Sequence, residues 1–137
     1  MKSYGGKLFM QEETKNWLTY SEENLEAAKV LLESKLFNPC LQSIQQSIEK
    51  ALKALFIEKE IPFKKTHNIM ELKTILSKYD IKIKLTDDEC DFLDSIYLPT
   101  KYPIGSALPN FYPDEKICKD SISLADKVLN EVNSLLK

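Results

Sequence analysis

Apolar residues recur at spacings of three and four along most of this chain, and that periodicity restricts the fold to packed helices. With only three glycines in 137 residues, the chain reads as nearly all helix. A first helix is expected over residues 12–34, burying Trp17, Leu18, Leu25, Ala28, Leu31 and Leu32 opposite Glu22, Glu26 and Lys29. A second is expected over 38–59, with Asn38 as cap and Pro39 at the first helical position. Leu41, Ile44, Ile48, Leu52, Leu55 and Phe56 form its apolar face, and Gln42, Gln45, Gln46, Glu49, Lys50 and Lys53 the opposite stripe.

Thr66 or Asn68 caps a third helix through residue 79, with Ile69, Leu72, Leu76 and Tyr79 on one face. Residues 81–85 alternate with period two but find no partner strand in the sequence, so they read as an extended connector. Thr86 caps a fourth helix, with Asp87, Asp88 and Glu89 where the helix dipole favours anions. Phe92, Leu93, Ile96 and Tyr97 supply its buried side. The last helix starts near residues 113–115 and turns Ile117, Leu124, Val128, Val132 and Leu135 inward. The expected fold is all-α, an up-and-down bundle of four to five helices, formed by one domain over 12–137 after a flexible N-terminal segment, 1–11.

Composition removes several function classes. The net charge is -2, which disfavours sequence-blind binding of polyanions. All 19 basic residues are lysine, so no guanidinium fork or arginine finger can come from this chain. Cys40, Cys90 and Cys118 form no CxxC pair and read as reduced, packed thiols. The single histidine, His67, with Glu71 at i+4, cannot complete a metal shell, so neither metal nor cofactor is expected. No G-x-S-x-G turn and no glycine-rich phosphate loop occurs. No stretch approaches the roughly 20 apolar residues that span a bilayer, and no signal peptide is evident, so a cytoplasmic protein without membrane contact is expected.

Three places carry candidate chemistry. Residues 99–113 break the periodicity and hold four of the six prolines; Lys101, Tyr102, Phe111 and Tyr112 there suit a phosphate and a stacked base, or plug the bundle end. Lys50, Lys53, Lys59, Lys64 and Lys65 precede His67 as a basic patch or a plain solvated face. The stripe of Gln42, Gln45, Gln46 and Glu49 suits a polar groove or a helix–helix contact in a homodimer.

Four segments, in order, resemble the HEPN family (higher eukaryotes and prokaryotes nucleotide-binding domain). They are Trp17 with Asn24-Leu25-Glu26-Ala27-Ala28 and Leu31-Leu32; Gln45-Gln46-Ser47-Ile48-Glu49-Lys50-Ala51-Leu52-Lys53-Ala54-Leu55; Lys65-Thr66-His67-Asn68-Ile69; and Tyr97-Leu98-Pro99-Thr100-Lys101-Tyr102-Pro103. The match runs from about residue 14 to residue 133. The resemblance implies a helical bundle, a homodimer, and for prokaryotic members a partner minimal nucleotidyltransferase in toxin–antitoxin or stress-defence settings. Some branches of the family are metal-independent ribonucleases using an arginine followed by a histidine. Here Lys101 stands in the arginine's place and no histidine follows it. The expectation is therefore a non-catalytic or weakly catalytic dimeric module that binds a nucleotide, a partner minimal nucleotidyltransferase or both, with Lys101, Tyr102, Lys64, Lys65, His67, Lys50 and Lys53 as the ligand-binding residues. A divergent ribonuclease relying on Lys101 and His67, or an interaction scaffold without a small ligand, remains the alternative, and RNA as a partner stays open.

Overall fold

The computed structural model describes residues 2–4, 7–62, 65–97 and 113–137. Among them run five helices: α1 (Glu12–Glu33), α2 (Phe37–Glu58), α3 (Ile69–Lys78), α4 (Asp87–Tyr97) and α5 (Glu115–Leu136). Ahead of α1, strands β1 (Lys2–Tyr4) and β2 (Lys7–Phe9) pair antiparallel, with Ser3 opposite Leu8. This ribbon is too short to leave a sequence signal, and it leaves the all-α bundle as the architecture.

Helix α2 sits at the centre and packs against α1, α3, α4 and α5. Ile44, Ile48, Ala51, Leu52, Ala54, Leu55 and Phe56 are fully buried along it. Burial of each large side chain contributes about 1.5–3 kcal/mol, so this helix supplies much of the driving force for folding. It crosses α1 closely at two serines. Ser21 Oγ donates to the Ser47 carbonyl at 2.6 Å, and Ser47 Oγ returns a bond to the Ser21 carbonyl at 2.8 Å. At the far end of the same pair, buried Glu58 accepts from the Gln11 backbone N–H at 3.0 Å and from Thr14 Oγ1 at 2.9 Å, tying the start of α1 to the end of α2.

Three helix ends share one device. Lys35, Glu60 and Asp80 adopt positive φ of 59°, 55° and 63° just past α1, α2 and α3. In each case the next residue, Leu36, Ile61 or Ile81, donates its N–H back to the carbonyl of Leu31, Phe56 or Leu76. That is the Schellman arrangement, made here without glycine.

Local expectations fare unevenly. Thr86 and Glu89 form a reciprocal capping box at the start of α4, at 2.8 and 3.1 Å, and Asn68 caps α3 by accepting from Glu71 N at 2.7 Å. Asn38 is not the cap of α2: the helix already starts at Phe37, and Pro39 occupies its first turn, where a missing N–H costs nothing. Tyr79 ends α3 half exposed rather than joining the core. Residues 81–86 form the expected connector, burying Ile83 and Leu85 between exposed Lys82 and Lys84. On α5 the buried stripe is Cys118, Ile122, Ala125, Val128, Leu129, Val132 and Leu136, while Ile117, Leu124 and Leu135 sit at its margin. All three cysteines are buried and free, and burial pushes the Cys118 thiol up to about 12.

Candidate functional site

Because four helices pack around α2, part of its polar stripe turns inward. Gln45, Glu49 and Lys53 lie one turn apart on that helix and are only 1%, 6% and 4% exposed. Glu49 is the hub of the group. Its Oε2 accepts from Lys53 Nζ at 2.8 Å and from His67 Nδ1 at 3.0 Å, and its Oε1 accepts from Gln45 Nε2 at 3.2 Å. Gln45 Nε2 also donates to the His67 carbonyl at 3.3 Å, so α2 holds both the ring and the backbone of the turn before α3. A buried pair like Glu49–Lys53 is tolerated only with such added partners, since desolvating either charge alone costs several kcal/mol.

His67 comes from that turn and keeps 44% of its side chain exposed. An ionised carboxylate can only accept, so Glu49 fixes the proton on Nδ1 and leaves Nε2 as the acceptor of the neutral ring. Among the described residues Nε2 has no partner. The ring stacks on Tyr97 at the end of α4, with centroids 4.7 Å apart and planes within 15°. Asp94, one turn back on α4, accepts from Ile69 N at 2.6 Å and Met70 N at 3.2 Å, so it caps α3 from a neighbouring helix. Burial pushes the Asp94 carboxyl up, the two backbone N–H groups pull it down, and the charges of Asp91 and Glu49 add to the rise.

These residues wall an open cleft of about 600 Å³ lined by Lys65, Thr66, His67, Asn68, Asp91, Asp94, Ser95 and Tyr97, among others. That volume falls in the range of roughly 300–1,000 Å³ typical of small-molecule sites. Lys65 is exposed at its rim and forms no ion pair among the described residues.

Of the site residues expected from sequence, the structure brings Lys65 and His67 to the cleft and puts Lys53 behind it. Lys53 is not part of a solvated patch: it is buried in the Glu49 pair, with Nζ 5.8 Å from the Trp17 ring centre. Lys50 lies apart, donating to Asn24 Oδ1 at 2.8 Å and resting 5.3 Å over the Tyr20 ring, beside a smaller pocket lined by Asn16, Trp17, Tyr20 and Lys50. Lys59 is exposed beyond α2. Lys64, Lys101, Tyr102, Phe111 and Tyr112 lie outside the described residues. His67 does not share a helix face with Glu71, because it precedes the cap of α3; Thr66 Oγ1 instead reaches Glu71 Oε2 at 3.5 Å. Asp91, Asp94, Ser95 and Tyr97 line the cleft although the sequence does not mark them as site residues. Asp94 carried no signal, since a carboxylate that caps another helix looks like any surface acid. Tyr97 was assigned to the core, as its spacing from Leu93 suggests.

The HEPN domain family model matches residues 14–135. The crystal structure of ST0689, an archaeal HEPN homologue, is similar with a TM-score of 0.67 and 25% identity, covering 90% of this chain and 98% of that one. The crystal structure of TT1696 from Thermus thermophilus has a TM-score of 0.69 at 23% identity, with the same coverage of 90% and 98%. No curated protein matches the chain. No described helix is long and apolar enough to cross a membrane.

Proposed function

Because the chain belongs to the HEPN domain family, we propose that it is a dimeric, non-catalytic module that binds a nucleotide in the cleft between the turn before α3 and helix α4. The observation that carries this reading is the His67–Tyr97 stack, two flat rings 4.7 Å apart at one wall of an open cleft rimmed by Lys65. Stacking on such a platform is worth about 1–3 kcal/mol per base, and a lysine ammonium at the rim supplies the point charge a phosphate needs. Lys64 and Lys101 add to that charge in this reading, and Tyr102 adds a second aromatic surface. The buried Glu49–Lys53 pair behind His67 holds the platform in place before the ligand arrives.

Association is the second half of the proposal. Tyr20, Val30 and Leu36 are 59%, 62% and 50% exposed, more apolar surface than α1 and its turn need for folding, and they suit a second copy or a minimal nucleotidyltransferase partner. Such a pair would belong to a toxin–antitoxin or stress-defence system.

Calorimetric titration with ATP and GTP tests the ligand. Saturable binding by the wild-type chain, lost in His67→Ala and weakened in Lys65→Ala, is expected; flat titrations at millimolar nucleotide would overturn the reading. A ribonuclease reading has one observation in its favour: Glu49 orients His67 at 3.0 Å, as a carboxylate orients a general base. Cleavage of RNA by the wild-type chain and not by His67→Ala would move the assignment there.

A further inference from the structure

The cleft's uncommitted groups discriminate between bases. We infer that the site selects guanine over adenine and that Asp91 is the specificity-determining residue; this rests on the nucleotide reading above. Two carboxylates of α4 line the cleft, Asp91 and Asp94, and they differ in what is left for a ligand. Each oxygen of Asp94 already accepts a backbone N–H, one from Ile69 and one from Met70. Asp91 is exposed, and among the described residues no hydrogen bond or ion pair occupies it.

The remaining polar groups sort in the same way. Asn68 Oδ1 accepts from Glu71 N at 2.7 Å, and the amide N–H donors of its side chain are uncommitted among the described residues. Ser95 Oγ donates to the Phe92 carbonyl at 2.6 Å and keeps lone pairs alone. Besides His67 Nε2 and the Lys65 ammonium, the cleft therefore presents the Asp91 carboxylate, which only accepts, and the amide donors of Asn68. Guanine meets a carboxylate with two adjacent donors, N1–H and the exocyclic amine, while its O6 and N7 accept from an amide. Adenine turns one amine and the N1 lone pair to the same edge, and that lone pair faces a carboxylate oxygen with nothing between them. Tyr97 comes from the same helix as Asp91 and lines the same cleft, so platform and carboxylate share one site. Lys65 stands at the rim for the phosphates.

Titrations of GTP, ATP and inosine triphosphate against the wild-type chain, Asp91→Asn and Asp88→Asn read this out. Asp91 and Asp88 are both exposed, so neither variant threatens the fold, and Asp88→Asn makes the same charge change one turn away. GTP is expected to bind about 10- to 100-fold tighter than ATP, the worth of a hydrogen bond to a charged group. Inosine triphosphate, which lacks the exocyclic amine, is expected between them. Asp91→Asn should bring GTP to the ATP level, and Asp88→Asn should leave the preference intact. Equal affinity for GTP and ATP, or a preference that survives Asp91→Asn, overturns the inference while nucleotide binding stands. Absence of binding by all three overturns both.

Discussion

Helix α2 is buried on two sides that are built in opposite ways, only two residues apart. At Ser47 it meets α1 through short side chains and reciprocal bonds to backbone carbonyls, with no charge involved. At Glu49 it meets the turn before α3 through a buried carboxylate, a buried ammonium and a half-exposed imidazole. The first contact lets two helices approach closely and carries stability. The second places charge in the interior to hold one ring at the edge of a cleft, where an apolar contact would avoid the desolvation penalty if packing were the only need. The difference is that one side is fixed by shape and the other by chemistry.

The largest effect should come from breaking the charged side. Glu49→Gln leaves Lys53 buried without its carboxylate and is expected to cost about 3–5 kcal/mol in urea unfolding. Glu49→Gln combined with Lys53→Met should recover most of that, because the buried ammonium goes with the carboxylate, yet the double variant should still lose nucleotide binding as His67 loses its support. On the other side, Ser47→Leu overpacks the α1 crossing and removes both serine bonds, at about 2–4 kcal/mol, while affinity per folded molecule should be unchanged.

Smaller effects sharpen the contrast between the dry interior and the wet cleft. Burial pushes the Cys90 and Cys118 thiols up to about 11 and about 12, against 9.0 for an exposed thiol. The unfolded chain releases these protons first, so their contribution is fully present below pH 9 and is lost as pH rises toward 11 and 12. Urea midpoints should fall across that window, and less steeply in Cys118→Ala. Smallest of all, glycine at position 35, 60 or 80 relieves a left-handed residue at a helix end and should add about 0.5–1 kcal/mol each in thermal unfolding.

The bundle was legible because helical periodicity survives wherever one side of a helix is wet, as on α1, α3 and α5. That periodicity also marks the apolar face of α2, but not which residues of the polar stripe turn inward: Gln45, Glu49 and Lys53 are buried, while Gln42, Gln46 and Lys50 are half-buried. Nothing in Gln45, Glu49 and Lys53 at spacing four distinguishes a surface ladder from an inward one; that depends on which other helices cover it. His67 was legible as a lone titratable residue, but its partner was misplaced: Glu71 is close in sequence, whereas Glu49 is brought in by the packing of the turn against α2. Asp94 was illegible, since its role as a cap for α3 exists only once α4 has docked.

The most direct measurement is a GTP titration of the nitrogen-15-labelled chain followed by backbone amide shifts. Saturable shifts are expected at residues 65–70 and 91–97, around His67 and Tyr97, with the α1–α2 crossing at Ser21 and Ser47 silent. Shifts centred instead on a second open groove, of about 890 Å³ and lined by Lys82, Lys84 and Thr86 with Lys127 and Glu131 of α5, or no saturable shifts at millimolar GTP, would contradict the assignment of the cleft as the ligand site.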